Sequence, residues 1–244
     1  GLENHALRHA AAVVTVCASL TEGVKGRLEG APVFQIEDPP LADRAELPGG
    51  ERVAALRRDL GLSDLPVVLY SGNFEPYQGV EILVDASPLV TEAQFLFMGG
   101  ELHEIETLRA RARGLGSESR CVFPGKRPPS ELPGFLALAD LLVSPRSKGE
   151  NTPFKAFTYL ASGKPLVATR IPSHTQLLSD ETAFLVEPTP AGLAEGIRGA
   201  LQEPEEARAR AEQGHALIER EYSAARYREK VAQAYTTVEK LTRP

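Results

Sequence analysis

The sequence contains no tryptophan, a single methionine and two cysteines among its 244 residues. The cysteines, Cys17 and Cys121, lie in or beside short apolar runs, and no Cys-x-x-Cys spacing is present. We therefore expect buried, unpaired thiols and neither a disulfide framework nor a zinc site. Apolar runs never reach the roughly 18 residues that a membrane-spanning helix needs, and no signal-peptide pattern is present. We expect a cytoplasmic protein.

Positive charges are fewer than negative charges. The chain has 27 Lys and Arg against 33 Asp and Glu, which gives a formal net charge of -6. Because no strong basic field exists, nucleic acid is not an expected partner. An anionic ligand could still be bound, but only by a local group of donors.

What the sequence does contain is a regular alternation of short apolar runs with longer amphipathic runs. This pattern is typical of an α/β fold, a Rossmann-like parallel sheet with helices on both faces. The predicted strands are residues 13–16, 33–36, 67–70, 95–98, 121–123, 141–144, 166–168 and 184–186. The predicted helices are residues 51–60, 79–90, 102–113, 131–139, 153–162, 193–201 and 224–241. Between them, residues 39–50 are rich in Pro, Asp and Gly and are predicted to form a linker.

The first polar loop with a chemical signature follows the strand at residues 67–70. It contains Gly72 and Gly79, which permit a tight exit from the strand and a close backbone approach to a ligand. Asn73 and Gln78 lie between them, and the loop ends at a helix N-terminus, where free N–H groups can receive an anion. An ordinary strand–helix turn is the alternative. The loop is neither a G-x-G-x-x-G nor a Walker sequence.

A second loop follows the strand at residues 141–144 and leads into the helix at 153–162. We expect Thr152 to cap this helix, Pro153 to begin it and Gly163 to end it. Lys155 then falls in the first turn, where the helix dipole disfavours a cation by roughly 0.3–1 kcal/mol. A bound phosphate would turn that conflict into an attraction. A solvated polar loop is the alternative.

Other residues near these two loops are candidates for the same site. They are Arg146, Glu150, Asn151 and Thr158 in the second segment, Gly125 and Lys126 after the strand at 121–123, and the turn at residues 98–101. His174 also follows a strand and could approach the crevice. Because the carboxyl ends of parallel strands share one edge, we expect the two loops to meet in a single cleft.

The order of these motifs resembles the donor domain of retaining GT-B glycosyltransferases, the large family that includes sucrose-phosphate synthases and bacterial mannosyl- and glucosyltransferases. The resemblance rests on Gly72 to Gly79, on Phe-Leu-Phe-Met-Gly at 95–99, on Val-Phe-Pro-Gly at 122–125, and on Leu-Ala-Ser-Gly-Lys-Pro at 160–165. It implies that Glu150, the first glutamate of the family motif, contacts the donor sugar, and we take it as the candidate catalytic residue. Thr158 replaces the second glutamate, which grips ribose hydroxyls, and Asn73 and Gln78 replace two phosphate-binding cations.

The resemblance also implies an organisation and an activity. Residues 1–38 would be the tail end of an N-terminal acceptor-binding domain, 39–50 a linker, 51–221 the nucleotide-sugar-binding domain, and 222–244 a helix that packs back toward the N-terminal domain. The full enzyme would transfer a sugar from a nucleotide-diphosphate sugar with retention, and without an obligatory metal or other cofactor. The acceptor is unknown, the remainder of the N-terminal domain is an expected partner, and peripheral membrane association of the full-length enzyme stays open.

Three alternatives compete with this interpretation. The first is a non-catalytic nucleotide-binding or assembly module with a degenerate site, which the residues at Asn73, Gln78 and Thr158 favour. The second is a GT-B sugar-nucleotide epimerase, which would need carboxylates and histidines at positions that are not matched here. The third is a nicotinamide dehydrogenase, which lacks its glycine-rich fingerprint after a strand.

Overall fold

A computed structural model describes residues 1–28 and 30–242. Its central element is a parallel sheet of six strands, in the order β5-β4-β3-β6-β7-β8. The strands are β3 (Val67–Ser71), β4 (Gln94–Met98), β5 (Cys121–Gly125), β6 (Leu141–Ser144), β7 (Leu166–Thr169) and β8 (Phe184–Val186). The chain builds outward from β3 in one direction and from β6 in the other, so a topological switch lies between these two strands. The predicted α/β fold is confirmed.

Helices cover both faces of this sheet. They are α3 (Gly50–Asp59), α4 (Val80–Ala86), α5 (Leu102–Gly114), α6 (Leu132–Leu138), α7 (Phe154–Ala161), α8 (Pro172–Thr175), α9 (Pro190–Gln202) and α10 (Pro204–Leu217). Side chains alternate along β3, so Val68 and Tyr70 pack in one apolar cluster with α4, α5 and α9. Val67 and Leu69 pack in a second cluster with α6 and α7. Burial on both faces explains why these strands are continuous apolar runs.

Several helix ends differ from the prediction. Pro153, and not Thr152, occupies the N-cap of α7, and no side chain caps the helix. The helix predicted to reach residue 90 ends at Ala86 and continues as a short 3₁₀ turn, Ser87–Leu89. The predicted left-handed glycine stops are present, since Gly61 and Gly163 both have φ of 65°.

The N-terminal residues form a separate small unit. It comprises α1 (Leu2–His9), β1 (Val13–Thr15), α2 (Ala18–Lys25) and β2 (Val33–Gln35), and the two strands form their own parallel pair. The last helix, α11 (Ala224–Thr242), returns to this region, where Lys230 Nζ lies 2.6 Å from Glu37 Oε2. The division of the chain at residues 38, 50 and 221 stays a prediction. Among the described helices, none is both long and apolar enough to cross a membrane.

Candidate functional site

A cavity of about 660 Å³ lies at the carboxyl edge of the sheet, beside the switch between β3 and β6. Its walls come from the loop after β3, the turn after β4, the loop after β6, the first turn of α7 and the linker. The predicted site residues that line it are Gly72, Asn73, Gln78, Lys126, Arg146, Asn151, Thr152, Lys155 and Thr158. The two loops that the sequence analysis singled out therefore share one cleft. The role of these residues in binding stays a prediction.

Lys155 is the central cation of this cavity. Its Nζ lies 3.1 Å from Gln78 Oε1 and 3.9 Å from the centre of the Tyr70 ring. Within residues 1–28 and 30–242, no carboxylate forms an ion pair with it. Burial lowers the pKa of Lys155 well below its ordinary value, and the nearby charge of Arg146 lowers it further. A half-buried cation that has no carboxylate partner and lies at a helix N-terminus is unfavourable, and a bound anion would relieve that cost.

Arg146 provides a second cation from the end of β6. Its guanidinium carbon lies 5.0 Å from the centre of the Tyr77 ring, and its Nη1 donates to Asn151 O at 2.7 Å. Its Nε is buried and has no hydrogen-bond partner among the described residues. A buried donor without a partner is unfavourable, so an acceptor atom that reached this group would relieve that cost.

Glycines allow the loops around the cavity to touch. A Cβ at Gly99, where φ is 127°, would lie 1.8 Å from the carbonyl oxygen of Gly72. A Cβ at Gly79, where φ is 70°, would lie 2.0 Å from the carbonyl oxygen of Pro145. Gly79 does not line the cavity, but it lets the loop after β3 pack against the loop after β6. Only glycine fits either position.

The floor of the cavity is held by hydroxyl groups of α7. Thr158 is 2% exposed, and its Oγ1 accepts a hydrogen bond of 3.0 Å from the backbone N–H of Leu41 in the linker. The Tyr159 hydroxyl accepts a hydrogen bond of 2.7 Å from the backbone N–H of Ser71. Burial raises the pKa of Tyr159 to about 12, so this group stays a neutral phenol at physiological pH. These contacts fix α7 to β3 and to the linker.

Some predicted residues lie outside the cavity lining. Glu150 is exposed, and its backbone carbonyl, not its carboxylate, accepts bonds of 3.0 Å from Ser19 Oγ and 2.6 Å from Gln176 Nε2. Gly125 is also outside, although its carbonyl accepts from Gly99 N–H at 3.0 Å. Lys126 lines the cavity but forms an ion pair with Glu101, which lowers the pKa of that carboxyl.

His174 does not approach the cavity. It is fully buried, with Nδ1 2.8 Å from the carbonyl oxygen of Thr169 and Nε2 2.8 Å from Ser144 Oγ. This arrangement fits a neutral ring whose Nδ1–H donates and whose Nε2 accepts. Burial lowers the pKa of His174 to about 4. The histidine is therefore a structural group beneath the end of β6.

The structure adds residues that the sequence analysis did not select. Tyr77 and Phe154 line the cavity beside the two cations, and Asp38, Leu41 and Val16 reach it from the linker and the N-terminal unit. Tyr77 could have been chosen, since it lies between Asn73 and Gln78. Their neighbours in the sequence do not indicate that Asp38, Leu41 and Val16 belong to the site, because only folding brings these residues near α7.

A parallel sheet with a cavity at its switch point is a Rossmann-like arrangement. Its structural neighbours show that this domain has the GT-B glycosyltransferase fold. Residues 65–203 match the family model described as glycosyl transferases group 1, and the chain belongs to that family.

Three similar proteins place the fold and the family. The alpha-D-kanosaminyltransferase of Streptomyces kanamyceticus is 28% identical over 97% of this chain and 63% of its own length. The phosphatidyl-myo-inositol mannosyltransferase of Mycobacterium leprae is 31% identical over 66% of this chain and 44% of its own length. The crystal structure of Anabaena HepE in complex with UDP has a TM-score of 0.85 at 20% identity and covers 96% of this chain and 66% of that one. The chain thus spans less than two thirds of the length of each of these three proteins.

Proposed function

We propose that this chain carries the donor-binding part of a glycosyltransferase that transfers a sugar from a nucleotide-diphosphate sugar with retention of configuration. Membership of the glycosyl transferases group 1 family supports transfer of a sugar. The binding of UDP by Anabaena HepE, a protein of the same fold, supports a nucleotide donor. The observation that carries the proposal is Lys155, a half-buried cation at the start of α7 that faces the cavity and has no carboxylate partner among the described residues.

In this proposal the donor diphosphate lies between Lys155, Arg146 and the N-terminus of α7. Charge that develops on the leaving diphosphate is stabilised by these two cations and by backbone N–H groups, without a metal ion. Gln78 orients Lys155 through its contact of 3.1 Å. Glu150 meets the donor sugar from the loop that precedes α7, and closure of an N-terminal domain over the cleft excludes water.

The proposal extends to the whole protein. The acceptor is bound by the remainder of an N-terminal domain, and the enzyme works in the cytoplasm, with peripheral attachment to a membrane where its acceptor is a lipid. A non-catalytic module is less well supported, because Lys155 and Arg146 supply cations that Asn73 and Gln78 do not. The donor sugar, the base and the acceptor are to be found by a donor screen on the full-length protein.

Calorimetric titration of the full-length protein with UDP, GDP and ADP tests the proposal. We expect at least one nucleotide to bind. Lys155→Met should weaken its affinity at least about 10-fold, because one charge-assisted contact is lost. Lys25→Met, which removes an exposed lysine on α2, is the control and should leave binding unchanged. A folded wild-type protein that binds none of the three nucleotides would overturn the proposal.

A further inference from the structure

The cavity is rich in cations and poor in carboxylates. Lys126, Arg127, Arg146 and Lys155 all line it, and they suit the phosphates of the proposed donor. A nucleotide sugar also carries hydroxyl groups, on the ribose and on the transferred sugar, which need acceptors when they leave water. Among the described residues that line the cavity, Asp38 is the one carboxylate.

Asp38 lies on an anchored segment, which we call the strap, residues 37–42. Glu37 at one end is buried and paired with Lys230, and Ala42 at the other end is buried among apolar groups. Between these anchors Asp38 is exposed, and no hydrogen bond or ion pair holds its carboxylate within the described part of the chain.

The strap is stiff and attached to α7. Two prolines, Pro39 and Pro40, follow Asp38, and their rings fix φ near about −65°. The next residue, Leu41, donates its N–H to Thr158 Oγ1 at 3.0 Å. The Thr158 hydroxyl therefore holds the strap against the same helix that presents Lys155.

We infer that Asp38 is the hydroxyl acceptor of this cavity: its carboxylate receives hydrogen bonds from vicinal hydroxyls of the bound nucleotide sugar, and Thr158 positions it by anchoring the strap. This inference rests on the proposed function. It assigns Asp38 a part in donor specificity and Thr158 a positioning role. The hydroxyls belong either to the ribose or to the transferred sugar, since both present the same chemistry.

The direction in which Asp38→Asn changes ligand affinity distinguishes hydroxyl recognition from simple charge repulsion. A carboxylate beside a diphosphate repels it, so Asp38→Asn should bind a ligand that lacks the hydroxyls as tightly as wild type, or more tightly. A ligand that has the hydroxyls should lose a charge-assisted bond and bind about 10-fold more weakly relative to that baseline. Only hydroxyl recognition makes Asp38→Asn lose affinity for the hydroxylated ligand relative to the ligand that lacks the hydroxyls.

Calorimetry on the full-length protein provides the test in two arms. The ribose arm compares UDP, GDP and ADP with their 2′-deoxy counterparts, and the sugar arm compares UDP-glucose and GDP-mannose with their 2-deoxy-sugar counterparts, which carry the same charge. We expect wild type to favour the hydroxylated ligand about 10-fold in one arm and Asp38→Asn to lose that preference. Asp64→Asn, an exposed aspartate before β3, is the control and should keep it.

Thr158→Val should reduce the same preference while Thr158→Ser keeps it, because the hydroxyl of Thr158, and not its methyl group, accepts the N–H of Leu41. Equal preferences in wild type and Asp38→Asn in both arms would overturn the inference and leave the proposed function standing. Absence of binding by any of these nucleotides to wild type would overturn both.

Discussion

His174 shows how a buried residue near the site ties stability to pH. Its neutral ring is hydrogen-bonded to Ser144 and Thr169, and its pKa is lowered from 6.5 to about 4. Between these two values the unfolded chain binds a proton that the native state does not, so stability falls as the pH falls. Over the whole interval between the two pKa values, the free energy of unfolding falls by about 3 kcal/mol.

Between about pH 6.5 and pH 4.5, His174 should lower the free energy of unfolding of wild type by about 2 kcal/mol. We expect His174→Gln to lack this part of the decline. Urea unfolding at the two pH values measures the difference. His103→Gln, which replaces an exposed histidine, is the control variant. An unchanged pH dependence in His174→Gln would show that this ring does not titrate as described.

Lys155 illustrates a conflict between binding and stability. Its ammonium group faces Tyr70 and Gln78 without a carboxylate partner in the described chain, and burial lowers its pKa well below the ordinary value. Methionine has a similar length and no charge, so Lys155→Met should raise the free energy of unfolding by about 1 kcal/mol although it weakens nucleotide binding. Chemical denaturation checks this, with Lys25→Met expected to stay within about 0.5 kcal/mol of wild type.

At the scale of elements, the loops after β3 and β4 depend on a close backbone approach at Gly99. An alanine there would place Cβ 1.8 Å from Gly72 O at a φ of 127°. We expect Gly99→Ala to lose at least about 3 kcal/mol of stability, since the backbone strain and the steric overlap add. Gly116→Ala is the matched control, because its φ is 71° but no atom lies within 4 Å. Gly116→Ala should lower the free energy of unfolding by only about 1–2 kcal/mol.

Thermal and urea unfolding of the two glycine variants compare these costs. If Gly99→Ala and Gly116→Ala lose equal stability, the contact between the two loops does not constrain the fold. Nucleotide titration adds a second readout, since displacement of the Gly72 loop should weaken binding only in Gly99→Ala.

Elements with strong periodicity could be predicted from the sequence, and elements with weak signals could not. The strands of the main sheet are apolar runs between polar loops, and all six were found. Helix α10 was missed because its buried positions, Ala207, Ala211 and Gly214, are too small to form an apolar stripe. The candidate site follows the same rule. The position of Lys155 in a helix's first turn is a local signal, whereas the bond from Leu41 to Thr158 joins residues 117 positions apart.

At the scale of the whole molecule, an ion pair joins the strap to α11. Lys230 Nζ lies 2.6 Å from Glu37 Oε2, and Gln35 Nε2 donates to the other carboxylate oxygen at 2.5 Å. The Glu37 side chain is 7% exposed, so its charge is largely removed from water and depends on these partners. The pair connects residues 193 positions apart and fixes α11 to the start of the strap.

We expect Lys230→Met to leave a buried carboxylate without its cation and to speed amide hydrogen exchange throughout α11, by about 10-fold or more if the helix docking loses over 1.4 kcal/mol. Hydrogen exchange with mass spectrometry measures this. Arg228→Met, an exposed cation on the same helix, should leave the exchange rates unchanged. Adding Glu37→Gln to Lys230→Met removes the unpaired charge and should restore most of the protection. If the double variant exchanges as fast as Lys230→Met, packing and not the ion pair holds α11 in place.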